Sequence, residues 1–427
     1  MLDIKLIRNN PDFISKVAQL KWVNIDILGI LELDSKRKSI EEDLQILRTR
    51  KNQIWKSRND DLREEGKTVK ENIQRLEDTS RIVSKELYSL LSKVPNIPSA
   101  DTPEWVDEHQ NVVLRQWWEI PKFDFEVKEH DELWVKLGLI DTERAAKVVW
   151  SRFSYLKWDL ALMQFALIQH VFSILTNQEI LEDIIKKNNI KVSSKPFTPI
   201  VPPILIKPSS FEKMARLEPK EERYHIPSDD LYLIGSAEHT LWAMHMDETF
   251  DEKELPVRYI GYSTSMRREA WSSWKDVRWI LRQHQFDKLE MESFCLPEDS
   301  LEEQNLLVAV QEYLLKSLNL PHQVVICCTW DMWTADARHI DVETWMPWQG
   351  KYRETHSADL MTDYQSRRLN IKVKRLDWQR ELVHMNDATA FAIWRTLIAI
   401  MENYQQKDWT ILIPEVLRKY VHKDIIK

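Results

Sequence analysis

Leu33, Ile40, Leu47 and Ile54 recur at intervals of seven, and Val69, Leu76, Val83 and Leu90 do the same further on. Ile73, Leu87 and Val94 fall on a second row in the same register. Such heptads predict helices seamed by a narrow apolar stripe. The polar stretch from Ser57 to Lys67 separates the two sets and predicts a reversal, so that the helices pack antiparallel as a long hairpin. Residues 31–63 would reach roughly 50 Å at about 1.5 Å per residue. A dimerising coiled coil is the alternative for the same pattern. The run Val94-Pro95-Asn96-Ile97-Pro98 breaks the helix and sets a boundary between an arm, residues 1–98, and a body, residues 99–427.

Beyond that break the texture changes. Short runs rich in β-branched and aromatic residues (Leu231 to Ile234, Val257 to Tyr262, Phe286 to Phe294, Val324 to Thr329, Ile340 to Trp345) alternate with helical stretches at Ala161 to Leu175, Leu301 to Leu318 and Ala390 to Glu402. The irregular order predicts an α+β domain on a mainly antiparallel sheet. Neither a P-loop nor a G-x-G-x-x-G run is present, so a nucleotide would be held by side chains instead of a glycine cradle.

Bulk properties narrow the picture. The 427 residues suffice for two or three domains. Three cysteines, two of them adjacent, make neither a disulfide framework nor a C-x-x-C zinc pair. The N-terminus carries no apolar segment of signal-peptide length, and no 18-residue apolar run occurs; a cytoplasmic protein without a membrane partner is the expectation. Net charge is −8, yet residues 36–58 hold eight basic and three acidic side chains. That local excess suits contact with a polyanion, and a solvated helix face would look the same.

Glycine is the anomaly. Average usage would give roughly 30 glycines in a chain of this length; the sequence holds 6, beside 19 tryptophans. Trp271, Trp274 and Trp279 crowd one short polar segment, where a turn or a close ligand approach ordinarily wants no side chain.

The residues around that segment carry the chemistry. Arg267-x-Glu269 is followed after a loop by Arg282 and Phe286. An arginine neutralises phosphate, a carboxylate accepts from an adenine amino group and a phenylalanine stacks on a purine. Placed on adjacent antiparallel strands, they would converge on ATP.

With its neighbours, this block resembles the bacterial-type seryl-tRNA synthetases, class II aminoacyl-tRNA synthetases. The opening Met1-Leu-Asp-Ile-Lys-Leu-Ile-Arg, the Val94 to Pro98 linker and Lys122-Phe-Asp-Phe are similar to that family. So are Ser236-Ala-Glu238, His284-Gln-Phe-Asp-Lys288, Trp345-Met-Pro, Lys351-Tyr-Arg-Glu354 and Glu402-Asn-Tyr-Gln405, in the family's order. The resemblance implies an antiparallel helical coiled-coil arm and a six-stranded antiparallel catalytic sheet with three motifs. Phe197-x-x-Ile200-x-x-Pro203 resembles motif 1 and implies a homodimer. By the same resemblance Arg267, Arg268, Glu269 and Phe286 of motif 2, with Glu354, Thr355, His356, Ser357 and Arg395, hold ATP. Arg267 and Arg395 act in catalysis, Glu354 and Ser357 hold Mg²⁺, and Ser236, Ala237, Glu238, Glu290, Asn386 and Thr389 form the L-serine pocket. The implied activity is formation of seryl-adenylate and transfer of serine to tRNA(Ser), gripped by the arm, with selenocysteine tRNA a further candidate acceptor. A degenerate tRNA-binding relative and a carrier-protein ligase are the competing readings.

The chain departs from the family at Met214 to Lys220, at Met266 and at Asn386-Asp-Ala-Thr389. Trp117 and Trp345 match family tryptophans. The other seventeen, at positions 22, 55, 105, 118, 134, 150, 158, 242, 271, 274, 279, 330, 333, 348, 378, 394 and 409, fall at family glycines or plausible glycine sites, 55 and 105 being the least secure. Random mutation would scatter glycine into several residue types. A gene in which UGA encodes glycine, written out with UGA as tryptophan, would produce this single substitution.

Overall fold

The computed structural model describes residues 1–57, 59–104, 107, 110–269 and 281–427. Trp105, Arg58 and the motif 2 tryptophans 271, 274 and 279 therefore lie outside the described residues. The chain divides into two compact units, Met1–Ile97 and Pro98–Lys427, within one residue of the boundary expected from the proline break.

The first unit is the hairpin. Helices α1 (Ile27–Ser57) and α2 (Arg63–Leu91) run antiparallel, joined by a short 3-10 turn at Asp60–Leu62. The Asn59 side chain accepts from the Asp61 amide at 3.0 Å and shapes that turn. Ile40, Leu44, Val69, Ile73 and Val83 form the buried seam, flanked by Leu33, Leu47, Ile54 and Leu76. Of the basic side chains, Arg48 reaches Glu77 at 2.9 Å and Arg50 reaches Glu65 at 2.7 Å, so these two tie the helices together.

The second unit is built on an eight-stranded sheet. Its strands are β1 (Val112–Trp117), β2 (Thr198–Ile200), β3 (Val257–Met266), β4 (Gln285–Cys295), β5 (His322–Ile326), β6 (Arg338–Met346), β7 (Lys351–Thr362) and β8 (His384–Ala392). Their order is β1-β5-β6-β7-β8-β4-β3-β2. The six central strands are the antiparallel sheet expected; β1 extends one edge antiparallel and β2 adds a parallel strand at the other. β2 follows Phe197, so the motif 1 segment is a sheet edge in this chain.

One face of the sheet is covered. Helices α3 (Trp158–Leu175), α5 (Ser300–Ser317) and α6 (Ile393–Tyr404) close a core that includes Met163, Leu167, Leu307, Leu314, Leu397, Met291, Ala358 and Ala388. Helix α5 also supplies hydrogen bonds through that face: Gln304 donates to the carbonyls of Arg338 and Ala358, and Gln311 to those of Ser357 and Thr389. Helix α3 has a mean hydropathy of 1.3, enough by length and composition to cross a membrane, and packs into this core through Leu160, Val171 and Ile174. The opposite face of the sheet carries the polar residues.

Candidate active site

Strand alternation decides which residues share that open face. A first row runs across five strands. Asp341 of β6 stands opposite Ser357 of β7, and the Ser357 hydroxyl lies 3.4 Å from that of Thr389 on β8. Thr389 pairs with Glu290 of β4, and Glu290 pairs with Gly261 of β3. A second row lies two residues further along each strand: His339, Asp359, Asp387 and Glu292, ending at Tyr259.

Over the first row sits the turn leading into the short helix α4 (Glu238–Leu241). A Cβ at Gly261 would meet Leu241 Cδ1 at 2.5 Å and Ala237 Cβ at 3.1 Å. One of the few remaining glycines is thus at a point where the backbone must let another element approach. Ala237 is a packing residue of that contact. The turn presents Ser236, whose hydroxyl donates to Glu290 Oε1 at 2.8 Å, and Lys288 contacts the same oxygen. Glu290 is fully buried and its Oε2 has no partner. Burial and the nearby Arg267 bring the Lys288 ammonium down to about 8, against the pull of Asp387, Glu238 and Glu292.

Arg267 follows the end of β3, its amide bonded to the His284 carbonyl at 2.9 Å. Its Nε donates to the Gly235 carbonyl at 3.1 Å and its guanidinium lies 5.3 Å from the centre of the Phe286 ring. Arg282 reaches Glu269 at 3.2 Å, so the motif 2 residues converge as their spacing suggested. Arg268 departs from them: it donates to the Arg223 carbonyl and covers the Tyr224 ring. Arg395, in the first turn of α6, pairs with Glu354 at 2.9 Å. Glu354 raises the Arg395 pKa; burial opposes ionisation of Glu354, but Arg395 and His339 hold it below its ordinary range. Burial lowers the Arg267 pKa, with Arg395 adding to the effect and Glu269 opposing it.

A bulge explains the spacing of Glu354 and Ser357. Glu343 faces Glu354, Val342 faces His356, and the register shifts between them. Glu354 and Ser357 therefore share the open face although three residues apart. Thr355 and His356 turn inward instead: Thr355 bonds to Thr344 at 2.7 Å, and His356 packs edge-on against Phe391, its pKa pushed down to about 3 by burial. The side chains of these two residues are corrected from ATP ligands to interior packing. Asn386 is corrected as well. It stands opposite Ser293, whose hydroxyl donates to Glu303 of α5, so Asn386 faces the covered side, and its neighbour Asp387 faces the pocket. Glu354, Ser357 and Asp341 offer hard oxygen atoms on one face, a donor set that fits Mg²⁺.

The family description "Seryl-tRNA synthetase N-terminal domain" matches residues 1–98, and "tRNA synthetase class II core domain (G, H, P, S and T)" matches residues 222–404. A serine–tRNA ligase of Symbiobacterium thermophilum is 36% identical, covering 100% of each chain. The chain belongs to the seryl-tRNA synthetase family. The ligase of Thermodesulfovibrio yellowstonii is 37% identical over the full length of both chains. The seryl-tRNA synthetase of Pyrococcus horikoshii, solved in complex with ATP, superposes with a TM-score of 0.87 at 33% identity, covering 100% of this chain and 99% of that one. The cytoplasmic enzyme of Naegleria fowleri, solved with AMP, gives 0.84 at 29% identity and the same coverage. Sequence reasoning missed Asp359, Asp387, Glu292 and Arg216. Strand alternation from Glu290 along the recognised β4 would have found Glu292, and alternation from Ser357 and Thr389 would have found Asp359 and Asp387 had β7 and β8 been recognised as strands.

Proposed function

We propose that this chain is a serine–tRNA ligase that activates L-serine with ATP and transfers it to tRNA(Ser). The observation that carries the substrate is the unpartnered Oε2 of Glu290, buried beside Ser236 and opposite Thr389. A serine hydroxyl donates to that oxygen. Alanine would leave it desolvated and unpaired, a penalty that underlies discrimination of about 10⁴ or more in sites of this kind. Arg267 and Phe286 bracket the purine and phosphates, and the substrate carboxylate attacks the α-phosphate in line while Arg267 and Arg395 offset the charge on the transferring group. Mg²⁺, when bound at Glu354 and Ser357, would neutralise phosphate charge. Pyrophosphate leaves, and the tRNA ribose hydroxyl then takes the seryl group. The basic face of α1 supports docking of the tRNA backbone. Exposed Val201, Ile204 and Leu205 after the edge strand support a homodimer, and a cytoplasmic setting follows from the activity. Serine-dependent ATP–pyrophosphate exchange, followed by charging of serine tRNA, tests the reading. Exchange that ignores serine would contradict it.

A second reading concerns which polypeptide carries that activity. Trp22, Trp118, Trp158, Trp378 and Trp409 adopt φ between 54 and 72°, making five of the fifteen non-glycine residues described with positive φ. Left-handed backbone costs a side-chain-bearing residue about 1–2 kcal/mol and is rare for bulky ones. Four of the five are also strongly exposed. This backbone pattern supports glycine, encoded by UGA, at these five positions. Trp134, Trp242 and Trp394 are buried and show no such strain. UGG codons at these positions, or a native protein whose mass retains all nineteen tryptophans, would contradict the reading.

A further inference from the structure

Arg216 belongs to the segment Met214 to Lys220 that departs from the family pattern, and no step described above uses it. Its Nε donates to Glu238 Oε1 at 2.9 Å, and both side chains are nearly buried. Burial disfavours the charge on the Arg216 guanidinium, and the combined field of Glu238, Asp387, Asp336 and Asp359 outweighs that cost and raises its pKa. Two of them, Asp359 and Asp387, stand directly opposite each other in the second row, and Glu292 continues that row on the next strand. Asp387 Oδ1 and both Glu292 oxygens have no hydrogen-bond partner. His339 at one end of this row pairs with Asp359, and the field of Arg216 adds positive charge near Asp387. Arg216 lies outside the sheet, and the carboxylate it grips is Glu238, two residues after Ser236 at the pocket.

We propose that Arg216 is a positioning residue for serine selection: through its nearly buried ion pair it fixes Glu238 beside Ser236 and Glu290 as the acceptor for the substrate's α-ammonium. The proposal rests on the serine–tRNA ligase reading. A charge-assisted hydrogen bond on a carboxylate fixes its direction as well as its charge, and an amino acid whose side chain is one hydroxymethyl group must be oriented largely through its ammonium and carboxylate.

The test is serine-dependent ATP–pyrophosphate exchange by the full-length enzyme and its R216K and R216M variants, with separate KM values for serine and ATP. R216M is expected to raise the serine KM about 10–100-fold and leave the ATP KM unchanged. R216K keeps the charge without the planar fork and should raise the serine KM alone, which keeps the test readable if R216M does not fold. A serine KM within twofold of the parent's in the arginine variants, or an equal rise in the ATP KM, overturns the proposal. A parent enzyme with no serine-dependent exchange overturns the ligase reading itself, an outcome that no Arg216 variant can imitate.

Discussion

In the arm, Arg48–Glu77 and Arg50–Glu65 bridge two helices at the surface, with side chains from 38 to 56% exposed. In the catalytic unit, Glu290 and Glu292 of the sheet are wholly buried and Arg216 beside it is nearly so. Exposed pairs are screened by salt and each contributes little. Buried charges cost several kcal/mol when a partner is lost. The arm can therefore act through the number of its charges, whereas the sheet depends on the identity and direction of each one. That difference separates tRNA docking from amino-acid activation, and each can be broken without the other.

The largest effect is expected from Arg395→Ala, which leaves Glu354 without its partner and removes a cation facing the transferring phosphate. Exchange kcat should fall about 10³-fold, as when a preorganised transition-state donor is deleted elsewhere. Glu290→Gln should follow, lowering kcat/KM for serine about 10²-fold and narrowing the preference over alanine, measured in the same assay with both amino acids. In the arm, Lys51→Glu with Lys56→Glu should raise the KM for tRNA about tenfold at low salt and leave exchange untouched. A matching loss of exchange would erase the contrast between the two regions.

The smallest effect concerns stability. Glu312 is held at about 2: burial pushes it up, but His322 and Arg115 outweigh that. Its folded pKa lies below its ordinary 4.5, so the stabilisation is present above that value and lost as pH falls through the window toward 2. Glu312→Gln should cost roughly 1 kcal/mol at neutral pH, the figure being discounted because Arg115 is half exposed. Denaturant melts of parent and variant should converge near pH 2.

The arm was legible because its function leaves the helix pattern intact. Every residue of the seven-spaced rows from Leu33 to Val83 lies in or against the seam, and only Leu44 was added by the structure. The sheet was legible at its apolar strands, β3 to β6, and hidden at β7 and β8. Lys351-Tyr-Arg-Glu-Thr-His-Ser and His384-Met-Asn-Asp-Ala-Thr show no alternation of apolar and polar residues, because both faces carry polar side chains: Glu354, Ser357, Asp387 and Thr389 toward the pocket, Thr355, His356 and Asn386 toward the covered side. Their residues were reached only through the family resemblance, which gave Glu354, Ser357 and Thr389 but assigned Asn386 to the wrong face. A bulge at Glu354 and the pairing of Asp387 with Glu292 are tertiary facts, and no local periodicity encodes them.

The most direct measurement is serine-dependent ATP–pyrophosphate exchange by the native enzyme in the absence of tRNA. Exchange that requires serine and is negligible with alanine is the expected result. Binding of serine tRNA with no serine-dependent exchange would contradict the account and leave the chain a tRNA-binding relative without catalysis.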